Sequence, residues 1–359
     1  WQISKAHSFS FYPLSNGQDI LLAARCKSGD CIKSINTYDG TTNWEFTDSL
    51  LQGLFYNAIP FLNDQYAIFP NGKELICIDL STGRLQWSKQ MPWQGDDRIF
   101  GTENRIYRTY NAVAKHTMMV YEFEIETGDS RLLFERSYDA RALAIMRSPV
   151  PTTDGQLLTA FTSFIPSKKQ GSSLYLLSDR VKVHNYELYP PNKNGIGATK
   201  APLVENNNSF WVAGRFIICY DWAQRTELWR RELPQGLLTS RLAKDENNIF
   251  AAAEDEWLYA INRLDGKISW KCKIAGTPSR VHVVKDMLFV VGGADKALYK
   301  INARTGNLIG VYRSRLGTST IEREAHFSTN TATISNGKFW YTFRLSQWNK
   351  VLEQTKKEF

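Results

Sequence analysis

No run of about 20 consecutive apolar residues occurs in this chain, so no helix in it is expected to cross a membrane. A secretory leader pattern is missing as well, although the sequence starts at Trp1 rather than Met, which points to processing or omission upstream. Sustained 3.6-residue hydrophobic periodicity is absent, which argues against a helical body. No HExxH, GxSxG, Walker or GxGxxG pattern is present, so no catalytic residue is assigned. Histidine is scarce: His7, His116, His184, His282 and His326 are scattered, and each reads as a surface or satisfied core residue. With no CxxC pair beside them, no metal site is expected. Basic residues never form a block of five. Lys and Arg still outnumber Asp and Glu by 44 to 36, a net charge of +8. That excess favours acidic partners without choosing among protein, nucleic acid and lipid.

Cysteine is sparse too, with five residues. Cys77 and Cys219 sit in apolar runs (LICI, FIICY), the setting of a buried free thiol. Cys26 and Cys31 flank KSGD, a plausible hairpin turn, so a disulfide between them is left open. The odd count and the buried thiols lean toward a reducing, cytoplasmic compartment, with an extracytoplasmic one as the alternative.

Tryptophan, by contrast, is abundant, with eleven residues. Several close a recurring twelve-residue phrase. ICIDLSTGRLQW (76–87) and YAINRLDGKISW (259–270) share Asp or Asn at the fourth place, Gly at the eighth and Trp at the twelfth. KSINTYDGTTNW ends at Trp44, and ICYDWAQRTELW ends at Trp229 with Arg225 in the Gly place. Weaker copies end at Leu132, Tyr186 and Gly310, and one repeat length before Trp44 stands Trp1. Each interval reads as four short strands joined by Asp-Gly or Thr-Gly turns, which are hairpin signals. Four antiparallel strands per ~43 residues describe a propeller blade. The expectation is one all-β domain over 1–359, an eight-bladed propeller. The tail HFSTNTATI, FWYTFRL and WNKVLEQTK (326–355) is expected to supply three strands of the last blade, and the Trp1 strand its fourth. Seven blades is the alternative, if the copy at 175–186 is not a blade. PSKKQGSS (166–173) reads as a loop insertion.

A third strand, Asp, Thr-Gly and a closing Trp together resemble the tryptophan-docking motif of PQQ-like, quinoprotein-type propellers. The resemblance spans essentially the whole chain. It implies that Trp1, Trp44, Trp87, Trp229 and Trp270 fasten neighbouring blades rather than form a site. The family includes quinone-cofactor dehydrogenases and a bacterial outer-membrane assembly lipoprotein. Its enzymes are longer and hold the cofactor over a vicinal Cys–Cys disulfide. This sequence has no Cys-Cys dipeptide, so the resemblance implies no cofactor here, PQQ included, and no enzyme.

What remains is surface. Counting back eight or ten places from the second strand, a base appears in five consecutive blades: Arg98, Arg147, Lys200, Arg241 and Arg280. Even offsets keep one side of a strand, so these residues are expected to form a positive crescent at the mouth of the central channel. The matching places elsewhere hold Tyr12, Ala58 and Thr331. Trp93 and Trp257 are expected on the same face, exposed, as anchors for a protein partner. Asp96 and Asp97 read as a solvated pair. The function expected is a non-catalytic scaffold within a larger assembly, binding an acidic protein surface through one propeller face. The alternative is an enzyme or sensor holding a small ligand, such as a quinone, in the channel. Nucleic acid is disfavoured, because no aromatic–basic run forms a stacking platform.

Overall fold

The computed structural model describes residues 2–6, 11–51, 58–164, 171–177, 184–189, 200–222, 224–233, 241–276, 278–295, 297–312, 325–327, 331–335 and 339–344. Eight antiparallel sheets follow one another along the chain, each four strands wide. Blade one is Leu14–Ser15, Asp19–Cys26, Gly29–Asn36 and Thr42–Phe46; blade two is Phe61–Leu62, Tyr66–Asn71, Glu74–Asp79 and Leu85–Gln90. Blades three (94–137) and four (143–189) each have a first strand in two pieces, Gln94–Gly95 with Phe100–Gly101, and Leu143–Met146 with Val150–Pro151. Blades five (203–232), six (243–273) and seven (282–312) return to four plain strands. The copy at 175–186 is a true blade, since Gly171–Leu177 pairs with His184–Tyr189. The ring therefore has eight blades, not seven. Only two short 3-10 turns, Ser49–Leu51 and Val113–Lys115, interrupt the β structure among the described residues.

Blade eight departs in detail from the sequence expectation. HFSTNTATI is divided between two strands, Ala325–Phe327 and Thr331–Ser335, and Phe339–Arg344 is the third. The closing strand is Gln2–Ser4, which pairs with Phe339–Arg344 through Ile3 opposite Trp340. The ring thus closes by joining the two ends of the chain, but one strand earlier than expected; WNKVLEQTK lies outside the described residues, as do Trp1 and most of the 166–173 insertion. Thr331 consequently belongs to a second strand and not to the inner rim. The expected register slipped because the Phe-Trp-Tyr run imitates the apolar second strands of the other blades.

The repeated phrase has one physical explanation. At its fourth place, Asp79 Oδ1 accepts from the Thr82 amide and from the hydroxyls of Ser81 and Thr82, which closes the turn. Asn36, Asn262 and Asn302 do the same for their own turns. The eighth-place Gly takes positive φ, where a side chain is strained. Against that bare Gly lies the Trp of the preceding blade. A Cβ on Gly83 would stand 2.5 Å from the Trp44 ring, on Gly128 2.8 Å from Trp87, on Gly266 2.6 Å from Trp229, and on Gly306 2.6 Å from Trp270. Each indole also donates to a carbonyl of that turn: Trp44 to Leu80 at 2.7 Å, Trp87 to Ile125 at 2.7 Å, Trp229 to Arg263 at 2.9 Å and Trp270 to Ala303 at 3.0 Å. In blades one, two, five and six a β-bulge aims the ring sideways; its extra residue, Asn43, Gln86, Leu228 or Ser269, directly precedes the Trp.

This pairing explains the exceptions. Blade four offers Tyr186 instead of Trp, and the following turn carries Arg225, at φ 55, instead of Gly. Where no indole docks, no bare backbone is needed. Trp340 makes a different join: buried in the third strand of blade eight, it donates to Ala23 O of blade one at 2.8 Å.

Cys26 and Cys31 form a disulfide across the hairpin of blade one, with Cα atoms 5.9 Å apart. Cys77, Cys219 and Cys272 are buried thiols. Burial pushes Cys77 and Cys219 up to about 12, so they stay protonated and unreactive. Thiol titration of the unfolded, unreduced chain is expected to find three groups. Five would show the hairpin pair reduced.

Candidate functional site on the propeller axis

The innermost segments of neighbouring blades touch around the axis. Phe11 bridges Ala58 and Ile59 bridges Arg98, both in parallel. The amide of Tyr12 donates to Ala58 O at 3.1 Å and that of Ile59 to Asp97 O at 2.9 Å. The loops from fourth to first strand share an end of the blades with the loops from second to third strand. Met91 N, for example, donates to Lys73 O at 2.8 Å, and Gly95 N to Gly72 O at 3.0 Å.

The five expected bases do come together at this end, but for a different reason. None lies within a strand. Arg98 and Arg147 sit where the first strands of blades three and four break in two, so the chain leaves the ladder there. Lys200, Arg241 and Arg280 lie just before the first strands Leu203–Glu205, Ala243–Lys244 and His282–Val284. The even-offset reasoning thus assumed strand positions that these residues do not hold, and it is their spacing along the chain that brings them near one another. Arg280 is exposed, whereas the other four are half-buried. The Arg241 guanidinium lies 4.8 Å above the Phe100 ring, reaching from blade six to blade three. Arg280 of blade seven and Arg98 of blade three, on opposite sides of an eight-blade ring, repel each other.

The sequence reading missed the acidic half of the site. Asp96 and Asp97 are not a solvated pair. The Asp96 side chain is only 6% exposed, held where blade three's inner strand breaks toward the axis. It accepts from the Ser148 amide at 2.9 Å and lies 3.7 Å from Arg147 Nη1. Asp97 Oδ1 lies 3.5 Å from Arg98 Nε. The two adjacent carboxyls act on each other in opposite senses, so their proton affinities separate. Desolvation, with Asp96 beside it, pushes Asp97 up to about 6. Hydrogen bonds and Arg147 keep Asp96 below the usual carboxylate range, against the cost of its burial.

The cations outweigh this pair. Desolvation and the neighbouring Arg98, Arg147 and Arg241 push Lys200 down to about 8. Desolvation, Arg98 and Arg280 push Arg241 down to about 9. Nε and Nη1 of Arg98 and Nε of Arg147 are buried and make no hydrogen bond. His282 and His326 adjoin the cluster from blades seven and eight, and desolvation with Arg280 nearby keeps both neutral at pH 7. His282 packs on Phe327, with ring centroids 5.0 Å apart, and its Nε2 is buried without a hydrogen bond. It is thus neither a surface residue nor a satisfied core one.

Lys200 carries a pH dependence whose sign can be stated. Its folded value lies below its unfolded value, so the folded chain binds fewer protons between about 8 and about 10.5, and stability contributed by this site rises with pH across that window. Lys200→Met is therefore expected to raise the thermal midpoint at neutral pH, with the gain shrinking as pH climbs through the window. An equal effect at both ends would contradict the burial of this ammonium.

Trp93 and Trp257 lie at the same end of the blades but are half-buried rather than exposed. Trp93 packs against Tyr121, at 6.0 Å, beneath Lys115. Trp257 lies 4.4 Å beneath Lys271. Neither stacks on a base of the axial cluster. Trp222 is buried beside Trp211, and both indoles donate to Ser209 Oγ. No group of three or more metal-ligating side chains occurs among the described residues.

No curated protein matches the chain in sequence. Solved structures match in fold. BamB from Moraxella catarrhalis superposes with a TM-score of 0.61 at 14% identity, covering 95% of this chain and 98% of that one. Sqt1 from Saccharomyces cerevisiae gives 0.64 at 7% identity, covering 96% of each. Quinohemoprotein alcohol dehydrogenase from Comamonas testosteroni gives 0.63 at 9%, covering 96% of this chain and 76% of that one. At these identities the likeness concerns the fold alone. The sequence pattern goes further: the family model described as outer membrane protein assembly factor BamB matches residues 27–272 and 213–337. With indoles docked blade to blade and a matching family pattern over most of its length, the chain belongs to the BamB-type family of PQQ-like β-propellers.

Proposed function

We propose that this protein is a non-catalytic binding scaffold, a subunit of a larger assembly that docks an acidic protein surface on the propeller end bearing the axial cations. The observation that carries this reading is the gathering of Arg98, Arg147, Lys200, Arg241 and Arg280 at one end of the ring. Rigid blades hold such a face still, so little ordering entropy is lost on docking. Membership of an assembly-factor family supports a partner of protein nature. The half-buried Trp93 and Trp257 extend the same end with aromatic surface. The hairpin disulfide fits an oxidising compartment better than the cytoplasm that the thiol count favoured.

The reading includes no quinone. The one disulfide joins Cys26 and Cys31 in a hairpin, not adjacent cysteines, and the Phe100 face at the axis is already covered by Arg241. These residues do not fit a flat cofactor that needs a platform, and no step is derived through one. Titration with the quinone is expected to leave absorbance and thermal midpoint unchanged.

The test of the scaffold is co-purification followed by mass spectrometry, comparing wild type with Arg280→Glu, chosen because Arg280 is exposed. Capture of a defined partner that weakens steeply with salt, and is lost in Arg280→Glu, is the expected result. A partner retained equally by both, with no salt dependence, would place the interface elsewhere.

A further inference from the structure

The axial cluster carries more charge than a docking face needs, and it carries it inward. Nε and Nη1 of Arg98 and Nε of Arg147 are buried and make no hydrogen bond, although Asp97 Oδ1 stands 3.5 Å from Arg98 Nε, and buried donors without a hydrogen bond are costly unless something accepts from them. The cations come from five consecutive blades and bear on one another and on the Asp96–Asp97 pair. At neutral pH the ionised Asp96 and Asp97 face five cations, and below pH about 6 Asp97 is neutral, so among the described residues positive charge is in excess. Burial of like charges at such close quarters is unfavourable, and a multivalent anion would offset it.

We propose that the axial mouth is a built site for a small multivalent oxyanion, a sulfate- or phosphate-like group held by Arg98, Arg147 and Arg241, with Lys200 and Arg280 completing the charge. Planar guanidinium groups suit tetrahedral and planar oxyanions because each presents paired donors. The inference deepens the reading of the basic face and rests on it for the choice of that face; the same chemistry could arrive as a free anion or as acidic side chains of a docked segment, and the free anion is the one inferred.

Asp97 faces Asp96, Arg98, Arg147, Lys200 and Arg241, and its proton sets the charge of the site. As pH rises through about 6, Asp97 ionises and adds negative charge. As pH rises through about 8, Lys200, which faces Arg98, Arg147, Arg241 and Asp97, loses its positive charge. Both steps weaken anion binding, so affinity is expected to fall with pH in two stages.

Calorimetric titration of the full chain with sulfate tests this, with ionic strength held by chloride. Sulfate keeps its charge across the neutral range, so any pH dependence belongs to the protein. One sulfate per chain is expected, with affinity falling as pH rises and dropping about tenfold or more in Arg98→Gln. Because Arg98→Gln removes a half-buried group and could disturb folding, Lys200→Met and exposed Arg280→Gln are titrated beside it, each expected to weaken binding severalfold. Sulfate heat no larger than that of chloride, or unchanged in all three variants, would overturn the inference. Binding of an Asp/Glu-rich peptide without sulfate binding would also overturn it while leaving the scaffold reading standing. Sulfate binding without any captured partner would do the reverse.

Discussion

Replacing Trp229 by alanine is expected to lower the free energy of unfolding by about 3–5 kcal/mol. The indole is 9% exposed, packs on Phe210 with centroids 5.9 Å apart, and donates to Arg263 O of the next blade. Truncation removes the apolar burial, the cross-blade hydrogen bond and the lid over Gly266 at once. Gly266→Ala attacks the same join from the other side. Its φ of +69 strains any side chain by about 1–2 kcal/mol, and its Cβ would press the ring at 2.6 Å. In the Trp229→Ala background the ring is gone and only the backbone strain remains. The two substitutions are therefore expected to be strongly non-additive in denaturant titration, the double variant being more stable than the sum implies. Leu132, which is 45% exposed at the twelfth place of the phrase in blade three and pairs with Tyr121 ahead of that blade's bulge, supplies the contrast: Leu132→Ala should cost under about 1 kcal/mol. Similar losses at Trp229 and Leu132 would show that the indoles are not fasteners.

Arg108→Met is expected to cost at least about 3 kcal/mol although it removes a buried charge and leaves an apolar chain of similar length. Arg108 is completely buried on the second strand of blade three. Its guanidinium donates to Gly72 O at 2.9 Å, Glu74 O at 2.8 Å and Asp96 O at 2.8 Å, and lies 5.1 Å over the Tyr110 ring. Two of those carbonyls belong to the hairpin of blade two, so the side chain ties two blades together. Loss of the donors takes a partner from three carbonyls, of which Gly72 O keeps the Gly95 amide, and a buried carbonyl left unsatisfied costs ~1–3 kcal/mol where water cannot replace the donor. Gly95 makes room for the group, since a Cβ there would stand 2.5 Å from the guanidinium carbon. Gly95→Ala is expected to reproduce part of the loss. The same variants should disturb the axial site, because Asp96 shares its backbone with this clamp. Equilibrium unfolding measures the first effect and sulfate titration the second. A neutral Arg108→Met would mean that water reaches those carbonyls.

Much of this architecture is written locally. An Asp or Asn, a Gly and a Trp at fixed places mark each turn and its fastener, and the absence of Gly from the turn after Tyr186 follows from the same rule. Periodicity of two, interrupted by turn residues, is a property of neighbours in sequence, so a propeller of eight blades is expected without coordinates, with seven open only through the degenerate copy at 175–186. Blade eight shows the limit. Its strands lack the phrase, and the Phe-Trp-Tyr run resembles a second strand, so the closing pair was placed one strand late.

The sequence by itself determined the propeller architecture, the docking of Trp44, Trp87, Trp229 and Trp270 and the spacing that brings five bases near one axis, because each depends on a repeat shorter than about 50 residues; the choice of eight blades over seven waited for the pairing of Gly171–Leu177 with His184–Tyr189. Only the tertiary structure decided the charge state and company of that axis. Asp96 and Asp97 look like an ordinary acidic dipeptide in a loop; they become a charge-coupled pair, with Asp96 buried and Asp97 partly so, because a broken inner strand places them where Ser148, Arg98 and Arg147 close around them. The same holds for Arg108 and the Cys26–Cys31 bond. Burial and partners of a charged group depend on residues distant in sequence, and no local pattern records them.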